Sequence, residues 1–468
     1  MTHNKIFKYG TISLAIISFM ALTGLGCKST QETVTKEASQ AVTLTYWRTY
    51  DDQSAFNDLI KKYQQNHKNV TIRYRKLRPE EYELELLKAW AEDRGPDIFS
   101  VPNNEVVKYQ SKILAVPETL SVPYITVKGE GFNQEKIVTI KKTAGMTIKR
   151  LKDNFVDVVG KDSVVDNKIY GLPLSVDSLV MYYNKDMFNA AGLPIPPATW
   201  KDFVTAVPKL TITNRKGEIL QSGAALGGTQ NIIRQFDILS ALMIQNGSVM
   251  NVGSRAVFNQ VPASLAGGQY HPGVEALRFY TDFANPTKEV YSWNDSFPDS
   301  LTAFTSNRTA VFFGYAYHLP LIRLASPSLN LGIAPFPQIE ESPKAATAAS
   351  YWLETVSKKT KNPDVAWDFV QFITSIENVP SYLKAAKKPA ALRSLLSSQA
   401  EDVDMSPFAS QTLNAVSWYQ GYDFAGAEKA FNDMVAMSVN PAPRQKPEDP
   451  LNLAAGRISQ TLAVPKQP

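Results

Sequence analysis

The stretch Tyr170–Phe188, YGLPLSVDSLVMYYNKDMF, constrains the fold more than any other part of the chain. A Gly-Leu-Pro turn leads into Leu179-Val180-Met181-Tyr182-Tyr183, an apolar run without polar–apolar alternation. Such a run, bounded by turn signals, predicts a short strand covered on both faces. Asn184-Lys185-Asp186 then opens a helix. Asp177 enters the strand from its polar end. A carboxylate beside a buried strand is costly unless something pairs with it. Two readings are open: Asp177 caps a turn or pairs with an arginine, or it faces a cleft and accepts hydrogen bonds from a ligand.

Upstream, Val42, Leu44 and Tyr46 alternate with threonines as a strand. Phe56, Leu59, Ile60 and Tyr63 follow at helical spacing, with Ser54 or Asp52 as N-cap. Val70, Ile72 and Tyr74 give a second strand, Tyr82, Leu86, Trp90 and Ala91 a second helix, and Pro96–Val101 a third strand. This order predicts a parallel sheet with ligands beyond its carboxyl ends. Trp47, Arg48 and Tyr50 follow the first strand; Asn103 and Asn104 follow the third. Trp47 reads equally as a core aromatic, and the two asparagines as a simple turn. Residues 118–150 are expected to be loops and a helix whose lysines form a solvated face.

A chain of 468 residues exceeds what one core ordinarily fills, so two lobes are expected. A formal charge of +5, partly from the basic N-terminus, gives no case for nucleic-acid binding. Cys27 is the single cysteine, which excludes an intrachain disulfide. The histidines His3, His67, His271 and His318 are widely spaced and show no metal motif, so neither metal nor cofactor is expected. Lys5 and Lys8 precede a mainly apolar Thr11–Leu25, too short for a membrane span and suited to an export signal. Leu22–Cys27 resembles a lipobox, although Gly24 stands where leucine is preferred. Acylation at Cys27 would anchor a soluble domain at a membrane surface, with residues 28–40 as a polar tether.

Downstream, Gly192 reads as a helix C-cap and Thr199–Asp202 as a capping box. Gly223–Gly228 reads as a strand and turn without phosphate-loop spacing. Helices are expected at Gln235–Asn246, Gly273–Phe283 and Asp299–Thr305, and strands at Thr309–Gly314 and Leu331–Pro337. Tyr315 and Tyr317 lie just past the first of these strands. Asn362-Pro363 starts a core helix, Trp352 lies at a strand end, and Trp418-Tyr419 precedes a helix containing Phe431, Met434 and Val435. Trp352 reads equally as plain packing.

The strings TLTYW, GPDIF, YGLPLSVDSLVMYYN, AAGLPIPPATWKDF, FTSNRTAVFFGYAYHLP and KNPDVAWDFVQFIT, in that order, resemble the extracellular solute-binding proteins of maltose-type ABC importers. The resemblance spans nearly all of residues 42–375. It implies an α/β, two-lobed, periplasmic-binding-protein-like fold, with hinge-connected lobes and an inter-lobe cleft. It implies a lipid-anchored, monomeric receptor, not an enzyme, that captures a mono- or oligosaccharide and hands it to permease subunits. On that reading Asp177 holds sugar hydroxyls, Tyr315 or Tyr317 stacks on the sugar, and Trp418 faces it. Asn103 and Asn104 stand where an acidic and a basic residue are common in the family. The lobes are expected at 41–175 and 339–392 for the first, and at 176–338 and 393–468 for the second. Hinges are expected near Pro173–Val176, Phe336–Pro343 and Pro389–Leu392. Two other classes stay open: an exported glycoside-acting enzyme pairing Asp51 or Asp52 with Asp177, and a peptide-binding or adhesion protein on the same scaffold.

Overall fold

The computed structural model describes residues 40–128, 135–265, 270–340 and 345–465. The export signal, Cys27 and all of the tether but Gln40 lie outside the described residues. The chain starts as its periodicity predicts: β1 (Val42–Thr49), α1 (Asn57–Asn66), β2 (Val70–Leu77), α2 (Pro79–Ala91) and β3 (Ile98–Pro102). Both β2 and β3 pair with β1 in parallel. The first turn differs from expectation. Asp52 caps only a 3-10 turn and makes no side-chain bond there, while Phe56 occupies the N-cap of α1.

Residues 118–150 depart furthest. After β4 (Ile113–Leu114), the strands β5 (Thr119–Lys128) and β6 (Glu135–Ala144) form an antiparallel ribbon, followed by a helix over Ile148–Asn154. Leu120 and Val122 are buried on one face of that ribbon, which gives it a core to sit on. Its root is fixed by the Ser121 amide, which donates to Asp364 Oδ2 at 3.0 Å. Lys141, Lys142 and their neighbours to Ala144 are exposed, in keeping with a solvated lysine face.

The chain then passes through β7 (Leu172–Pro173) and β8 (Asp177–Ser178) into β9 (Val180–Asn184). Leu179 and Met181 join one buried cluster and Val180 and Tyr182 another, so the strand is covered on both faces. Asn184 caps α3 (Lys185–Ala190), its Oδ1 accepting from the amides of Asp186 and Met187. Thr199 caps α4 (Trp200–Leu210) and also donates to Asp202 Oδ2 at 2.8 Å, the expected box. Gly223–Gly228 is irregular rather than a strand; Ser222 alone bridges to Thr309. Beyond α5 (Gln235–Gln245) come β10 (Val311–Gly314) and β11 (Leu331–Pro335), both antiparallel to β9.

The second sheet is therefore antiparallel, not a repeat of the first. Its cleft-side edge joins the start of β9 to the carboxyl ends of its neighbours, with Val180 opposite Gly314 and Pro335. The return runs through β12 (Thr347–Ser350) into β13 (Trp352–Ser357), which pairs antiparallel with β3, β4 and β7 to complete the first sheet. The helices α6 (Pro363–Ile373) and α7 (Val379–Ala386) cover it, and β14 (Ala415–Val416) leads to α8 (Phe424–Val439).

Two large cores result. One is built from Leu44 to Val176, Ala349 to Leu396 and Ala415. The other is built from Leu179 to Ala348 and Trp418 to Leu462. Phe336 belongs to the second, and the cores change hands at Ala348 and Ala349, some ten residues beyond the expected return at 339. Three chain crossings lie side by side where the lobes meet. Asp177 pairs with Ser350, Ser175 bridges to Ala390, and β12 pairs with β14.

Candidate functional site

A cleft of about 210 Å³ opens at this meeting point. It gathers Arg48, Tyr50, Asn103, Asn104, Asp177, Tyr317, Trp352 and Trp418 from the positions singled out by sequence. Trp47 and Tyr315 stand outside its lining. Along the strand β1, alternate residues face opposite sides. Trp47 points away from Arg48 and lies under the Arg75 guanidinium, 4.6 Å from its ring centre. Tyr315 is fully buried behind Tyr317, its hydroxyl donating to Asp237 Oδ2 at 2.9 Å.

Asp177 is 7% exposed on the cleft wall. Its Oδ1 accepts from the Ser178 amide at 2.9 Å and the Ala316 amide at 3.0 Å. The turn that supplies Ala316 is tight. A Cβ on Gly314 would lie 2.6 Å from the Phe312 ring and 2.8 Å from His318 Nδ1, so only glycine fits. Burial pushes the Asp177 carboxyl up to about 7, against the pull of these backbone amides and of Lys388.

The cations of the cleft are already engaged. Arg48 Nε donates to Asp51 Oδ2 at 2.9 Å, its Nη1 contacts Glu354, and its Nη2 donates to the Tyr382 hydroxyl at 3.1 Å. Lys388 Nζ lies 2.7 Å from Asp51 Oδ1. Burial would raise the Asp51 carboxyl, but Arg48 and Lys388 override it and hold it at about 2. Arg234 pairs with Asp237. Arg48 thus lines the cleft while its donors serve the network that ties β1 to β13 and α7.

Asn103 is likewise committed. Its Nδ2 donates to Asp162 Oδ2 at 2.8 Å and its Oδ1 accepts from the Tyr351 amide at 3.2 Å. Among the described residues, no side chain pairs with the Asn104 amide, which is half-buried on the wall. The rings divide by role. Tyr50 lies 5.9 Å from Trp352 and 6.0 Å from Tyr317. Trp418 stacks on Phe236 at 5.5 Å and donates through Nε1 to Ser240 Oγ.

Sequence reasoning missed Ser175, Lys388, Glu105, Arg234, Asp237, Tyr419 and Phe424, all on the cleft wall. Arg234 and Tyr50 both carry positive φ, 65° and 63°, without being glycine. Backbone strain of this kind, about 1–3 kcal/mol each, concentrates at functional sites and leaves no mark in composition or periodicity. Lys388 could have been found, because it immediately precedes the expected hinge at Pro389–Leu392.

Two lobes, a shared cleft between them and chain crossings beneath it define a solute-binding protein of the periplasmic type. The chain belongs to the bacterial extracellular solute-binding protein family, whose model matches residues 47–380. It is 25% identical over 251 residues to the multiple sugar-binding protein of Streptococcus mutans, covering 53% of this chain and 57% of that one. It thus spans little more than half the length of that relative. It is 24% identical over 386 residues to the maltodextrin-binding protein MdxE of Bacillus subtilis, covering 81% of this chain and 79% of that one. Among solved structures, the cyclic α-maltosyl-1,6-maltose binding protein of Arthrobacter globiformis superposes with a TM-score of 0.69 at 18% identity, over 90% of this chain and 99% of that one. A cyclo/maltodextrin-binding protein complexed with maltotetraose gives 0.68 at 17%, over 92% and 99%. At these identities the structural likeness shows the fold.

Proposed function

We propose that the protein captures a carbohydrate in this cleft, closes on it, and delivers it to the permease subunits of an ABC importer, held at the membrane as a monomer by a lipid on Cys27. The observation that carries the ligand class is the pairing of Asp177 with rings. Among the described residues its side chain has only backbone amides as hydrogen-bond donors, and Tyr317, Trp352 and Trp418 share its cleft. A sugar offers donor hydroxyls to such a carboxylate and C–H faces to the rings. The names of the relatives above point the same way. Cys27 follows a lipobox-like run, which supports the anchor.

Every cation on the wall is already paired with a carboxylate, which favours a neutral saccharide over an acidic one. Closure is assigned to the crossings at Pro173–Val176, Ala348–Tyr351 and Pro389–Leu392, where paired backbones run between the cores. A glycosidase reading finds no support in the geometry. Asp51 is locked to Arg48 and Lys388, and Asp52 is a solvent-facing residue paired with Lys76. Calorimetric titration of the purified domain with neutral saccharides, uronates, peptides and polyamines tests the reading. Heat is expected with a neutral saccharide and none with uronates. A peptide or polyamine as the only binder contradicts it.

A further inference from the structure

Tyr50 is held unlike any other ring of the cleft. Its backbone is left-handed at φ 63°, and its side chain is 47% exposed at the cleft mouth. Among the described residues its hydroxyl has no hydrogen-bond partner. It follows the last strand residue of β1 in the first lobe, yet its ring meets Tyr317 of the second lobe at 6.0 Å, tilted by 33°. On its own side it abuts Trp352 at 5.9 Å.

Tyr317 is the fixed half of the contact. It stacks on Tyr315 at 6.0 Å and 18°, and lies 4.0 Å from the His318 ring. Tyr315 is in turn anchored on Asp237. A sugar ring sandwiched between two aromatic faces needs about 3.5–4.0 Å on each side, so about 7–8 Å between ring centres. The 6.0 Å separation leaves no such slot. The cavity that both rings help to line, about 210 Å³, falls below the usual ligand-pocket range of about 300–1,000 Å³.

We propose that Tyr50 and Tyr317 form a clasp across the mouth of the cleft that restricts the ligand to mono- and disaccharides, a proposal resting on the carbohydrate reading above. A longer chain has to leave through the mouth and hold the rings apart. Tyr50, 47% exposed, is the moving part, and Tyr317, packed on Tyr315 and His318, is the stop.

The test uses the signal-free domain and calorimetric titration with gluco-, galacto- and fructo-oligosaccharides of graded length. Wild-type protein is expected to bind a mono- or disaccharide of one series, and its tetrasaccharide about tenfold or more weakly, a gap of about 1.4 kcal/mol. In Tyr50→Ala the gap should shrink to about threefold or less, whereas Tyr50→Phe, which keeps the ring, should retain it. A wild-type protein that takes the tetrasaccharide as tightly as the disaccharide overturns the clasp. So does a Tyr50→Ala protein weakened equally for every length, since Tyr50 is then an ordinary binding ring. If no saccharide binds, the carbohydrate reading fails on its own account, and small-angle scattering of the ligand-free protein decides the contact. A larger radius of gyration for Tyr50→Ala than for wild type and Tyr50→Phe upholds it; equal radii overturn it.

Discussion

Asp177 is a buried carboxylate on the cleft wall, and burial makes its charged form costly to the ligand-free protein. Its carboxyl is raised from 3.8 to about 7 by burial. Its contribution to stability is therefore complete below about pH 3.8 and is lost as pH rises through about 7. Asp177→Asn stays neutral throughout, so it should melt above wild type at pH 8 and level with it only below about pH 3.8 in scanning calorimetry. The same substitution should weaken ligand binding, because the ligand's donors favour the charged form. Wild-type affinity should accordingly fall as pH drops through about 7, with proton release on binding near neutrality, read by calorimetry in buffers of different ionisation enthalpy. Arg48 predicts the opposite pattern. Removing it strands Glu354, which is 0% exposed, so Arg48→Ala should lose about 3–5 kcal/mol of stability in urea unfolding. Trp352→Ala should weaken binding more than it lowers the melting temperature, since the ring is only half-buried at a strand end. Asp177 was legible because a lone carboxylate entering an apolar strand demands an explanation. The commitment of Arg48 and Asn103 to internal partners was not, because Glu354 and Asp162 reach them from 306 and 59 residues away in sequence.

At the scale of elements, local pattern carried most of the chain. Capping residues and strand periods placed the starts of β1 to β3, α3 and α4 to within a residue or two. Thr199→Ala should cost about 1 kcal/mol, measurable by denaturant unfolding, through loss of the bond from the Asp202 amide. The β5–β6 ribbon stayed hidden because its lysines and Pro123 mask the period-two pattern of Leu120 and Val122. What reveals it is tertiary: the contact of Ser121 with Asp364, 243 residues away. The antiparallel second sheet was hidden for a related reason. An apolar strand covered on both faces reads alike whichever way its neighbours run.

Across the whole molecule, the order of motifs announced two lobes, and the cores bear that out. The position of the return crossing was less legible. Phe336-Pro337 reads as a hinge, but Phe336 is buried against Trp200 and Phe313, and the backbone pairing that joins the lobes comes later, at Ser350. The central claim is that the cleft between these lobes binds a neutral saccharide through Asp177. Calorimetric titration of wild type and Asp177→Ala against one saccharide panel tests it most directly. Wild type should bind a neutral sugar one to one, and the variant should lose about tenfold or more in affinity, with its melting temperature little changed. Saccharide binding that survives the substitution undiminished, or no saccharide binding beside clear binding of a peptide, would contradict it.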